Sequence, residues 1–104
     1  MIPIKTVEEL ILNHATLEKE LSSGTLDKKV FADKSKEYSN LNEIIKSAND
    51  YSNFETTKKE LEKIITDSNN DEEMRQLAKV ELIDLEKKHN EDEKKLKLFL
   101  LPKD

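Results

Sequence analysis

The sequence predicts an all-α fold: an antiparallel helical hairpin with an additional N-terminal helix laid along it, a three-helix, coiled-coil-like bundle. Three observations predict it. Only one Gly and two Pro occur in 104 residues, too few for the turns that a β sandwich or barrel needs every ~8–12 positions. Charged residues make up 39% and hydrophobic residues 35%, a Glu-, Lys- and Leu-rich balance that suits long helices. Apolar residues recur at steps of three and four, the period of one helix face. The length fits a single helical domain over residues 1–104 with one modest core.

The first helix is expected over about residues 4–22. Val7, Leu10, Ile11, His14, Leu17 and Leu21 line one face of it. Ser22-Ser23-Gly24-Thr25 breaks the pattern, and Gly24 suits the left-handed conformation that closes a helix. Asp27 can then cap the next segment.

That second segment runs over about 27–66 without a Gly or Pro. Phe31, Tyr38, Leu41, Ile45, Ala48, Tyr51, Phe54, Leu61 and Ile65 mark its apolar stripe, interrupted by Lys58. Successive steps of three near Ala48–Phe54 make the stripe drift. The alternatives are one long helix with a local irregularity, or two helices joined near Asn49-Asp50. One continuous helix is expected, because Asn-Asp is a weak breaker; it would be about 60 Å long.

Asp67-Ser68-Asn69-Asn70 is a cluster of turn formers, and Asn70 with Glu73 matches a capping box. The third helix is expected over about 71–100, acidic in its first turn and basic in its last, the order a helix dipole favours. Met74, Leu77, Ala78, Leu82, Leu85, Leu96, Phe99 and Leu100 form its stripe. The stripe weakens between Leu85 and Leu96, where His89 and Asp92 fall on the inner face; that stretch is expected to project beyond the core or meet solvent. Asp84/Lys88, Glu91/Lys95 and Glu93/Lys97 are spaced to pair at i,i+4.

Several function classes find no support. The longest apolar runs are far short of the ~20 residues that span a bilayer, and no secretory signal precedes them. With no Cys, thiol catalysis, disulfides and Cys-based metal sites are excluded. The net charge of −5 disfavours tracking a phosphate backbone, so direct nucleic-acid recognition is not expected and a protein partner surface is. Chemistry at a pocket needs a nucleophile, a base and oxyanion donors together. The two histidines, His14 and His89, stand in no such context, and one glycine cannot make a phosphate loop.

Other signals have bland readings. Glu86-x-x-His89 has the spacing used twice in di-iron bundles, but it occurs once, in a run of charges, and reads as a solvated face. His14 reads as a partly buried core residue rather than a ligand or pH switch. Tyr38, Tyr51 and Phe54 could stack on bases, yet their helical spacing favours packing. Lys94-Lys95-x-Lys97 is matched by neighbouring acids. The chain alone is therefore not expected to be an enzyme, and no cofactor or metal is implied.

The C-terminus is the oddest feature. Leu98-Phe99-Leu100-Leu101 runs into Pro102, which stops the helix, and the sequence ends at Asp104. Natural ends are usually polar and frayed, so this reads as a domain boundary with more chain expected after it.

Taken in order and at this spacing, a set of residues resembles a known family. Phe31, Lys36-Glu37-Tyr38, Leu41, Ile44 and Tyr51 are followed by Asp71, Glu73-Met74, Leu77-Ala78, Glu81-Leu82 and Leu100-Leu101-Pro102-Lys103-Asp104. They are similar to the N-terminal domain of bacterial class I peptide chain release factors, of the type-1 rather than the type-2 branch, over about residues 5–104. Asp92 departs from the pattern, which is apolar there.

The resemblance implies a modular factor for translation termination at UAA and UAG codons. In that family a central domain reads the codon through a Pro-x-Thr tripeptide, and another carries a Gly-Gly-Gln loop that promotes peptidyl-tRNA hydrolysis. Neither motif occurs in these 104 residues. The N-terminal domain is implied to dock at the stalk base of the large ribosomal subunit, in the cytoplasm, as a monomer. The candidate contact is the turn Asp67, Ser68, Asn69 and Asn70, because a hairpin tip projects furthest. A reading from another class is an independent coiled-coil protein whose apolar C-terminal knot seals a homodimer; an RNA-contacting arm is disfavoured by the charge.

Overall fold

A computed structural model describes residues 1–102. Lys103 and Asp104, the end of the C-terminal series above, lie outside the described residues. The chain is all-α, with helices α1 (Ile4–Ser22), α2 (Lys28–Asn42), α3 (Ile45–Thr66) and α4 (Glu72–Leu100) in an elongated body of 60 × 32 × 19 Å. α3 and α4 form the antiparallel hairpin, while α1 packs on α3 and α2.

The first helix and its exit follow the sequence closely. α1 closes on Ser23, and Gly24 takes the left-handed φ of 72° that a side chain would resist. Asp27 caps α2 by accepting from the Val30 amide at 2.9 Å.

The segment expected to be one helix over 27–66 is two, and the joint lies at Glu43–Ile44, not at Asn49-Asp50. Ile44 departs from regular α-helix dihedrals, with φ −115° and ψ 0°, and its amide reaches only three residues back, to the Leu41 carbonyl at 3.0 Å. The cause is register. Leu41, Ile44, Ala48, Tyr51 and Phe54 are all buried, yet steps of three drift round a straight α-helix by about 60° each. A tight turn between Leu41 and Ile44 brings both onto one surface without any glycine or proline.

The core gathers at the base of the hairpin. Ile2, Val7, Ile44, Ala48, Tyr51 and Leu96 form one buried cluster, with Leu10, Ile11 and Phe99 packed against it. Val7, Ala48 and Leu96 are wholly shielded. The N-terminal residues are stitched in. The Ile2 amide donates to the Tyr51 hydroxyl at 3.1 Å, that hydroxyl donates back to the Ile2 carbonyl at 3.4 Å, and the terminal ammonium meets Glu93 at 3.4 Å. Phe31, Met74 and Leu77, placed on apolar stripes by their spacing, are instead about half exposed.

Candidate functional site

The tip of the hairpin is a turn built from its own polar side chains. The Asp67 amide closes α3 on the Lys63 carbonyl at 3.1 Å. Its carboxylate accepts from the Asn69 amide at 2.9 Å, an Asx turn, and its carbonyl accepts from the Asn70 amide at 3.1 Å. The Asn70 side-chain amide reaches back to the Ile64 carbonyl at 3.0 Å. The capping box expected from Asn70 and Glu73 does not form. Asp71 caps α4 one residue later, accepting from the Met74 amide at 2.8 Å. Asp67, Ser68 and Asn69 are exposed and Asn70 half-buried, and the Ser68 and Asn69 side chains make no hydrogen bond to described residues. The tip thus offers an ordered backbone with free polar side chains and, beside it, a shallow depression over Lys63, Ile64 and Thr66.

Nearer the base, the stretch expected to meet solvent is covered. The His89 ring lies between Tyr51, at a centroid distance of 4.6 Å, and Phe54, at 3.7 Å, nearly parallel to both. Its Nδ1 is buried without a hydrogen-bond partner among the described residues. Asp92 is 1% exposed and accepts from the Lys88 ammonium at 2.7 Å. Lys88 also reaches Asp50 of α3 at 3.3 Å, and Lys46 closes on Asp50 at 3.2 Å. Lys46, Asp50, Lys88 and Asp92 form an alternating charge ladder across the two helices. Periodicity placed His89 and Asp92 inward; what sequence reasoning missed is that α3 supplies aromatic faces and a carboxylate to receive them.

The ladder shifts its own titrations. Burial works against ionising Asp50, but hydrogen bonds and charge from Lys46 and Lys88 outweigh it and hold the carboxyl below its ordinary 3.8. The hydrogen bond to Asp92, with Asp50 adding to it against the cost of desolvation, holds the Lys88 ammonium above its ordinary 10.5. Of the three expected i,i+4 pairs only Glu93–Lys97 forms, at 2.9 Å. Lys88 turns to Asp92 and Asp50 instead of Asp84, and Glu91 and Lys95 make no ion pair among the described residues.

His14 stacks on Tyr38 at 4.7 Å and its Nε2 meets Asn42 Oδ1 at 3.0 Å. Among the described residues no Ser or Thr hydroxyl bonds to either histidine, so no nucleophile–base pair is assembled. Glu86 is exposed while His89 points into the aromatic stack, and no group of three or more His, Asp or Glu is placed to hold a metal among the described residues. Tyr51 and Phe54 face inward and present no open stacking platform. None of the described helices is long and apolar enough to cross a membrane.

Comparison with known proteins places the fold in a family. Residues 10–104 match the model of the PCRF domain. The chain is 62% identical, over all 104 of its residues, to peptide chain release factor 1 of Pelagibacter ubique, but spans 29% of that relative's length. It is 38% identical over 100 residues to peptide chain release factor 1 of Wolbachia pipientis, covering 94% of this chain and 28% of the relative. To peptide chain release factor 1 of Orientia tsutsugamushi it is 37% identical over 98 residues, 94% of this chain and 27% of the relative. No solved structure matches it significantly. The residue series that resembles the type-1 release factors lies inside the matched region, and the chain belongs to the PCRF-domain family.

Proposed function

We propose that this chain does the work of the N-terminal domain of a type-1 peptide chain release factor. It positions the factor on the ribosome for termination at UAA and UAG, in the cytoplasm, and carries no catalysis of its own. Codon reading and peptidyl-tRNA hydrolysis belong to other domains of such factors. The observation that carries this reading is the 62% identity across the whole chain to peptide chain release factor 1 of Pelagibacter ubique. An acidic helical surface suits protein contacts better than a phosphate backbone.

The docking element is the hairpin tip, Asp67–Asn70, and the partner is the protein of the large-subunit stalk base. Support for the tip is physical: its backbone is fixed by Asp67 and Asn70, while Ser68 and Asn69 leave their side chains free. Titration of this chain against isolated stalk-base particles tests both levels. Binding at near-physiological salt is expected, and about tenfold weaker binding for Ser68→Ala with Asn69→Ala, as for loss of an interface hot spot. No binding by the native chain sinks the docking role. Equal binding by the double variant moves the contact off the turn.

A further inference from the structure

Where the N-terminal residues meet the hairpin they leave a half-enclosed cleft of about 360 Å³. Ile2, Pro3 and Ile4 line it from the start of the chain, Tyr51 and Phe54 from α3, and His89 from α4. Its volume falls within the roughly 300–1,000 Å³ that encloses a small organic ligand. The lining is mostly apolar, and part of that surface stays open to water: Ile4 is 49% exposed.

The aromatic lining has an orientation. The His89 ring lies between Tyr51 and Phe54, nearly parallel to both, so both its faces are covered and only its edge can meet a ligand. A ring edge carries partial positive charge and suits the π face of a further ring, in edge-to-face geometry.

One charge on the cleft is unanswered. Glu55 of α3 lines it, exposed and without an ion pair among the described residues, although Lys58 and Lys59 follow at i+3 and i+4. Lys58 stands instead 5.8 Å from the centroid of the Phe54 ring. The terminal ammonium is already held by Glu93, which Lys97 also meets. The Ser52 hydroxyl, also on the lining, makes no hydrogen bond among the described residues. A neighbouring cleft shares Phe54 and His89 and reaches Asp50, Lys88 and Asp92, but those charges are matched within the ladder and select no ligand.

We propose that the cleft between the N-terminal residues and the hairpin binds a small aromatic amine in its ammonium form, with its ring against the His89 edge and its nitrogen toward Glu55. An ion pair with an exposed carboxylate adds little affinity. The apolar interior therefore supplies most of the binding, and Glu55 supplies the preference for charge. A neutral ligand of the same shape loses that preference, and an anionic one meets Glu55 as a like charge. This site lies toward the base and is independent of the docking role proposed for the tip.

Amide NMR of the isotope-labelled chain, titrated with phenethylamine, tests it. Saturable shifts are expected at Ile2, Ile4, Ser52, Glu55 and His89, half-complete near about 1 mM, as for a ligand of few heavy atoms. Phenethyl alcohol, neutral and of the same shape, is expected to bind about threefold more weakly, and hydrocinnamate more weakly still. Glu55→Gln, a change at an exposed residue, should bring amine and alcohol to equal affinity. Ile4→Trp, which fills the mouth of the cleft, should weaken both at least tenfold; should it lose native helicity by circular dichroism, Ser52→Phe takes its place with the same expected loss. No saturable shift up to about 20 mM amine, shifts centred on other residues, or equal affinity of the native chain for amine and alcohol overturns the proposal. So does a Glu55→Gln chain that keeps the amine's advantage, or a filled cleft that binds like the native one.

Discussion

The base of the hairpin and its tip are made from the same two helices but held by different forces. At the base, α1 and α2 pack on α3 and the N-terminal ammonium reaches Glu93 of α4, and Val7, Ala48 and Leu96 lose all contact with water. At the tip only two helices meet. Leu61 and Ala78 are buried there, yet Met74 and Leu77 stand about half exposed. Order comes instead from side chains that bond the backbone within a few residues: Asp67, Asn70 and Asp71. Desolvated apolar volume holds one end and short-range hydrogen bonds hold the other. The tip is therefore expected to open at lower free energy than the base.

The largest expected effect breaks the base. Leu96→Ala, at a fully shielded site, should cost about 3–5 kcal/mol, against about 2–3 kcal/mol for Leu61→Ala nearer the tip, where the neighbours can collapse or water can enter. Urea titration of both variants checks the order. Equal losses would mean that the two ends are packed alike.

A second effect lies between the two ends, in the charge ladder. Lys88→Ala leaves the shielded Asp92 carboxylate without its cation and should cost about 2–4 kcal/mol, whereas Asp92→Leu should be neutral or stabilising. The pH profile carries the same information. Asp50, with its folded pKa below 3.8, contributes stability that is present above that value and lost as the pH falls through its folded pKa. Lys88, raised above 10.5, contributes stability that is present below that value and lost as the pH climbs past it. In Lys88→Ala the alkaline loss should shrink to what Lys97, raised by its hydrogen bond to Glu93, sustains, and the acid loss to what Asp50 with Lys46, Glu72 and Glu93 sustain. Unchanged wings would show that the ladder does not contribute in solution.

The smallest effect separates the ends most cleanly. Asp27→Ala and Asp71→Ala each remove one helix cap, worth about 1 kcal/mol. Hydrogen exchange should confine the Asp71 change to the tip amides around residues 64–75, while the Asp27 change spreads into α2 and its packing on α1. Protection lost throughout the molecule in Asp71→Ala would argue that the tip does not open independently.

Much of this architecture was legible in the residues. The α1 stripe, the Gly24 exit and the Asp27 cap all depend on chemistry within a few positions of each other, which is where spacing rules work. The joint at Glu43–Ile44 was less legible because no residue there breaks a helix. Only the drift of the stripe recorded it, and a drift can be absorbed at either end. At the tip, Asn70 and Asp71 compete for one cap, and a carboxylate accepts from amides more strongly than a carboxamide. His89 and Asp92 show the opposite failure: the period was right, but judging them by polarity alone pointed them to water. Which groups α3 would offer them could not be read from α4. Of the candidate site, the turn itself was legible from composition; its ordering by Asp67 and Asn70 became visible only with the backbone bonds in place.

The stitching of Ile2 to Tyr51 and the burial of Val7 and Leu96 in one cluster have a consequence in time. Contacts between residues so far apart in sequence close late, whereas the α3–α4 hairpin can form from nearer neighbours. At roughly 5–20 residues per second of synthesis, Val7 waits on the order of 5–20 s before Leu96 has been made. Through that interval half of the base stands open, and the last helix to be synthesised is the one that shuts it.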